Sequence, residues 1–137
     1  MDYRRFQPQR FARHLISTPF IWFPLPFFLM LDLVASFYQA VCFPLYGLEK
    51  VKHSSYIMIK DRAKLAYLTP LEKLDCMYCG YANGVLLYLK EIAGRTEKYW
   101  CGIMHEGKPG FIPHADQAAA GFSRFGDETE FKEKYGA

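Results

Sequence analysis

Apolar residues are concentrated in one stretch of the chain, residues 15–48, in which Asp32 is the single charged residue. Prolines interrupt this stretch at positions 19, 24, 26 and 44. Because proline is tolerated in the first turn of a helix but breaks a helix interior, the longest uninterrupted helix should cover residues 26–43. Eighteen residues would span about 27 Å, close to the roughly 30 Å of a bilayer core. The pattern predicts a membrane-inserted helical segment.

Polar side chains form a stripe along this helix. Asp32, Ser36 and Gln39 follow each other at helical spacing, and bulky apolar residues occupy the opposite face. A carboxylate at membrane depth normally faces protein or water. Three interpretations remain open: Asp32 near a lipid headgroup on an in-plane helix, a polar contact with a partner helix, and a proton or ion role. All three make Asp32, Ser36 and Gln39 candidate membrane or partner contacts.

Basic residues flank the apolar stretch on both sides. They are Arg4, Arg5, Arg10 and Arg13 before it, and Lys50, Lys52, Lys60, Arg62 and Lys64 after it. The positive-inside rule places both flanks in the cytoplasm, which a single span cannot satisfy. A monotopic or hairpin-like insertion into the cytoplasmic membrane is therefore slightly favoured over a single span. A cleaved signal peptide is not favoured, because the apolar run continues past the small residues that resemble a cleavage site.

The second half of the chain predicts amphipathic helices. The sequence TPLE provides Thr69 as N-cap, Pro70 at the first helical position and Glu72 for a capping box. Apolar residues then recur at positions 71, 74, 78, 81, 85, 88 and 92. Glycines and the sequence AGRT predict a helix end at Gly94 and a new start at Thr96. We therefore expect a helical hairpin over residues 70–106.

The chain divides into five predicted segments. A basic arm (1–14) precedes the membrane-inserted helical segment (15–48), and a connector (49–69) leads to the cytoplasmic hairpin (70–106) and a C-terminal tail (107–137). The expected fold class is mostly α, with a metal-site knuckle in the hairpin.

Three cysteines and one histidine provide candidate metal ligands. Cys76 and Cys79 lie three residues apart, and Cys101 and His105 lie four residues apart. If the hairpin brings the two pairs together, three thiolates and an imidazole suit one tetrahedral Zn²⁺ or a mononuclear iron, with zinc favoured. Two alternatives remain: the cysteines pack as small apolar residues, or Cys76 and Cys79 form a redox dithiol. A redox role is less favoured, because the predicted cap places Cys76 inside a helix.

Two longer motifs, CMYCGYANG (76–84) and RTEKYWCGIMH (95–105), resemble a family of small bacterial membrane-associated proteins. With FPLYGLEKV (43–51) and FGD (125–127), the resemblance covers residues 32–127 and is densest over 72–105. It implies that Cys76, Cys79, Cys101 and His105 belong to one pattern, and it implies no activity. The short piece CMYCGY is also similar to the first knuckle of a rubredoxin.

Charge and motif content narrow the function classes. The net charge is +3, and the basic residues are spread along the chain instead of forming the aromatic-interleaved strip of a nucleic-acid groove. The sequence contains no Gly-rich phosphate loop, nucleophile elbow or paired carboxylates. We expect a membrane-anchored, metal-binding accessory subunit or assembly factor of a larger membrane complex. The alternative is a rubredoxin-like electron carrier or oxidoreductase component, with iron at the same ligands.

Overall fold

The computed structural model describes residues 11–113, 117 and 119–136, and these residues are mostly helical with no β-strand among them. Four α-helices are α1 (Phe11–Trp22), α2 (Leu25–Tyr46), α3 (Pro70–Trp100) and α4 (Glu128–Tyr135). Two short 3₁₀ helices, His53–Ser55 and Arg62–Lys64, lie in the connector. Residues 1–10 of the predicted basic arm lie outside the described part.

The proline pattern sets the break between α1 and α2. Phe23 and Pro24 form a turn, and Pro24 caps α2, whose first turn contains Pro26. α2 ends at Gly47, which adopts a left-handed conformation (φ +70°) that glycine adopts without strain. Together, Leu15–Tyr46 is the one described segment long and apolar enough to cross a membrane.

The predicted capping box is confirmed, whereas the predicted hairpin turn is wrong. The Thr69 hydroxyl accepts from the Glu72 backbone N–H at 3.3 Å, and Glu72 accepts from the Thr69 backbone N–H at 2.8 Å. α3 then continues without interruption through Gly94 to Trp100. Thr96 begins no new helix, and its hydroxyl donates to the Ile92 carbonyl one turn earlier, at 2.8 Å.

α2 and α3 run in the same direction. Their contacts follow chain order: Ile21 of α1 with Tyr78, then Asp32 with Tyr81, Gln39 with Tyr88, and Tyr46 with Tyr99. Two parallel neighbouring helices require the intervening chain to return along their whole length. Residues 48–69 make this return, and the buried side chain of Val51 and the half-buried side chain of Tyr56 join the core between the helices.

Two glycines of α3 allow the connector to pass close to the helix. A Cβ at Gly80 would lie 2.5 Å from the Met58 carbonyl oxygen, and a Cβ at Gly84 would lie 2.7 Å from that of Tyr56. Only glycine permits this backbone-to-backbone approach. Gly80 and Gly84 therefore allow the connector to pack against α3.

The chain after α3 folds back on the end of that helix. Ser123 donates its N–H to the Gly102 carbonyl at 2.8 Å, and the Met104 N–H donates to the Ser123 carbonyl at 2.8 Å. Gly102 has φ +68°, and its Cα faces the ring of Tyr135 on α4 so closely that a Cβ would lie 2.7 Å from the ring. Glu–Lys pairs lie along α4, which is exposed.

Candidate functional site

Asp32 is the centre of a polar cluster between α2, α3 and the connector. Its carboxylate accepts the Tyr81 hydroxyl at 2.9 Å, and its two oxygens lie 3.0 and 3.1 Å from Nε2 of His53. The carboxylate side chain is 14% exposed, so its hydrogen bonds replace most of the solvation lost on burial. Asp32 thus links all three segments.

Gln39 extends this cluster by two helical turns along α2, seven residues after Asp32. Its amide oxygen accepts the Val51 N–H at 2.9 Å, and its amide nitrogen donates to the Val51 carbonyl at 3.2 Å. The same nitrogen contacts the Tyr88 hydroxyl, which also lies 3.0 Å from Ser36 Oγ. Gln39 and Tyr88 are both buried, so a buried amide fixes the connector on the helix pair.

The polar stripe predicted from the sequence therefore contacts the chain's own third helix. Ser36 and Gln39 bind Tyr88, and Asp32 binds Tyr81. Burial, together with the bond to the Asp32 carboxylate, raises the pKa of Tyr81 to about 12. The phenol therefore stays protonated at neutral pH and remains a donor, which suits a structural bond.

Three residues of this cluster were not recognised as such from the sequence: His53, Tyr81 and Tyr88. No motif around His53 marks it in the sequence, yet its ring packs edge-on against Tyr88 with centroids 5.0 Å apart. A matching spacing could have revealed the tyrosines. Asp32 and Gln39 are seven residues apart, as are Tyr81 and Tyr88, which is the register of two parallel helices in contact.

The predicted four-ligand metal site is not assembled within this chain. Cys76 and Cys79 lie in the first half of α3, whereas Cys101 follows its last residue. Cys101 lies 22 positions after Cys79, which corresponds to about 33 Å along the helix axis. The site depended on a hairpin turn at Gly94, and the continuous helix removes that turn. The predicted metal-site knuckle likewise has no turn, because both Cys76 and Cys79 are helical.

Cys101 and His105 belong instead to the C-terminal end of α3. Both are exposed, and His105 Nε2 lies 3.9 Å from a carboxylate oxygen of Glu97 while its ring packs on Phe111. Among the described residues, no group of three or more His, Cys, Asp or Glu side chains is arranged to hold a metal ion. Cys42, the fourth cysteine, lies in α2, where it is half-buried and forms no disulfide.

Cys76 and Cys79 instead line a cleft between α1 and the beginning of α3. The cleft has a volume of about 570 Å³ and apolar walls that include Leu15, Ile21 and Leu71. Its end is closed by Trp22, whose ring lies 4.7 Å from that of Tyr78. The Tyr78 hydroxyl donates to the Ile21 carbonyl at 2.5 Å, which holds α1 against α3.

Comparison with known proteins places no relative beside this chain: no protein-family model, no curated protein and no solved structure matches it. The family resemblance of the cysteine motifs thus stays a prediction. The function has to be argued from the geometry of the described residues.

Proposed function

We propose that this protein lies flat on the cytoplasmic face of the cytoplasmic membrane and serves there as a non-catalytic accessory subunit or assembly factor of a membrane complex. One observation carries the proposal. α2 buries its polar stripe on α3 and the connector, and exposes a continuous apolar face on its opposite side. We call this surface the α2 apolar face. It consists of Phe27, Met30, Val34, Phe37, Val41 and Leu45.

The side chains of the α2 apolar face are exposed to the extent expected of an interaction surface without its partner. Its side chains are between 47% and 77% exposed, and Phe37 alone is 72% exposed. Such a contiguous apolar surface is uncommon on soluble monomers and typical of membrane or protein contacts. Full burial of one large apolar side chain is worth about 1.5–3 kcal/mol. Six half-exposed side chains therefore offer roughly 6 kcal/mol of membrane binding.

This packing argues against a perpendicular single span. α3 and the connector accompany α2 along its length, so an upright α2 would carry both into the hydrocarbon. Lys90 is exposed near the middle of the paired region, and a lysine at that depth costs about 3 kcal/mol. The connector is largely non-helical, and each unpaired backbone group in lipid costs several kcal/mol more. An in-plane α2 keeps both in water.

Charge supports the same orientation. Lys50, Lys52, Lys60, Arg62 and Lys64 of the connector are all exposed. The in-plane arrangement also keeps both basic flanks in the cytoplasm, as the positive-inside rule requires.

An accessory role follows from what remains in water. The exposed side of α3 and the folded C-terminal segment would project from the membrane, where a larger complex can bind them. The electron-carrier alternative required four metal ligands at one point, and α3 separates them. The accessory role is tested by solubilising membranes in mild detergent and measuring the native mass of the tagged chain. A mass of the monomer in its micelle would contradict it.

The in-plane orientation is tested by vesicle flotation with the full-length protein. Phe37→Glu places a charge at the centre of the α2 apolar face and should weaken binding to anionic vesicles at least tenfold. Leu87→Glu is the matched control, because Leu87 is 54% exposed on α3, away from the α2 contact. It should bind as the wild type does. Equal binding by both variants would refute the proposed surface.

Two further experiments test the in-plane orientation: extraction of the protein from membranes, and the accessibility of tags at its two ends. High salt should leave the protein on the membrane, because apolar burial is not screened by ions, and only detergent should release it. Tags at both ends should be accessible from the cytoplasm. Tags on opposite sides would establish a single span.

A further inference from the structure

The cleft between α1 and α3 presents two thiols to one space. Cys76 is 9% exposed and Cys79 is exposed, and both belong to the wall of the same cavity. Neither forms a disulfide. A ligand that enters this cleft from solvent can therefore meet both the buried thiol of Cys76 and the exposed thiol of Cys79.

The helical spacing of these thiols decides which ligand fits. Residues at i and i+3 of a helix have Cβ atoms about 5–6 Å apart. A disulfide needs a Cβ–Cβ distance of about 3.5–4.5 Å, so the intact helix disfavours oxidation to a bridge. If an ion bound linearly by two sulfurs has bonds close to the roughly 2.3 Å of zinc–thiolate bonds, the sulfurs lie about 4.6 Å apart. Rotation about the Cα–Cβ bonds lets two thiols on Cβ atoms about 5–6 Å apart reach that separation.

The surroundings favour a two-coordinate ion over zinc. Tetrahedral zinc needs four ligands, and no third His, Cys, Asp or Glu joins the two thiols in a metal-holding group within the described residues. Glu72, which also lines the cleft, is engaged in the capping box with Thr69. Soft thiolates select Cu(I), a d¹⁰ ion that accepts low coordination.

We propose that Cys76 and Cys79 form a two-thiolate binding site for a monovalent soft metal ion of the Cu(I) class. Binding converts two thiols and one Cu⁺ into a bis-thiolate complex of charge −1, with release of two protons. The ion enters as Cu⁺, so no oxidant or reductant takes part. Arg62 lines the same cleft and contributes a positive charge there, while Glu72 and Asp75 contribute negative charges. This site is independent of the proposed membrane orientation.

The site is tested by anaerobic titration of the full-length reduced protein in detergent with Cu⁺, in competition with a chromophoric Cu(I) chelator. We expect one tightly bound Cu⁺ per chain and an X-ray absorption spectrum with two sulfur ligands. Cys79→Ser should lose the tight binding, and because Cys79 is exposed, the variant should fold. Circular dichroism verifies the fold. Cys76→Ser should also lose the tight binding of Cu⁺.

Two matched controls are available in the same chain. Cys42→Ser and Cys101→Ser remove one thiol each, in α2 and beyond the end of α3, and should retain one Cu⁺. Three results would overturn the proposal: no competition by the wild type, retention of tight binding in Cys79→Ser, or one Cu⁺ shared by two chains. None of these results bears on vesicle binding, so the two proposals fail separately.

Discussion

The close approach of the connector to α3 predicts different effects on stability for two chemically identical substitutions. In Gly84→Ala, the new Cβ would lie 2.7 Å from the Tyr56 carbonyl oxygen and 2.8 Å from the Ile57 Cα. Both neighbours are backbone atoms, so no side-chain rotation relieves the contact. In Gly94→Ala, on the same helix, nothing lies within 4 Å of the new Cβ.

The magnitudes follow from two terms. Replacing a glycine in a helix interior by alanine stabilises the helix by about 1 kcal/mol, and this gain applies at both positions. Overpacking against atoms that cannot move aside costs about 1–3 kcal/mol, and this cost applies at Gly84 alone. Gly94→Ala should therefore raise the free energy of unfolding by about 1 kcal/mol. The free energy of unfolding of Gly84→Ala should be about 1–3 kcal/mol lower than that of Gly94→Ala.

Urea unfolding in a mild detergent, followed by circular dichroism at the helical band, measures this difference. Thermal unfolding gives a second reading, with about 3 °C expected per kcal/mol for a chain of this size. Limited proteolysis should in addition cut the connector of Gly84→Ala faster than that of Gly94→Ala. If both variants stabilise the protein equally, the connector does not pass over Gly84 and the parallel helix arrangement is wrong.

Three further predictions concern the polar contacts. Gln39→Leu leaves the buried Val51 N–H and carbonyl without their partner and should lower the free energy of unfolding by about 2–4 kcal/mol, measured by urea unfolding. Hydrogen bonds from Lys134, then from the backbone and side chain of Arg124, lower the pKa of Glu130 to about 2, below its unfolded value near 4.5. The α4 contacts should therefore persist above pH 4.5 and loosen as the pH falls towards 2, which hydrogen exchange of α4 amides would detect; unchanged protection would contradict this. Because the pKa of Tyr81 is raised to about 12 from 10, its stabilising bond should hold below pH 10 and be lost towards pH 12, which absorbance of the tyrosinate together with helix content would reveal.

Local features were readable from the sequence because their causes are local. The capping box at Thr69 depends on residues within one turn, and the prolines at 24 and 26 act on their own backbone. The apolar helix was predicted over residues 26–43 and extends over Leu25–Tyr46. Tyr88 and Ile92 of the predicted periodic series are indeed buried in the core.

The glycines of α3 show where local reasoning failed. Gly80, Gly84 and Gly94 read as weak points because glycine costs a helix about 1 kcal/mol relative to alanine. That cost is small beside the packing that Gly80 and Gly84 permit, so the helix continues and the connector lies against it. The predicted hairpin is wrong, and the four candidate metal ligands, whose meeting depended on it, lie apart, two within α3 and two after its end.

By itself, the sequence determined the helical class, the apolar segment, the start of α3 and the polar stripe of α2, because spacing along one helix fixes which residues share a face. It did not determine what that stripe faces. Only the tertiary structure decided that Asp32 and Gln39 meet Tyr81 and Tyr88 of the same chain. The physical reason is that a parallel helix pair depends on the path of the returning connector, and no residue near Asp32 in sequence encodes that path.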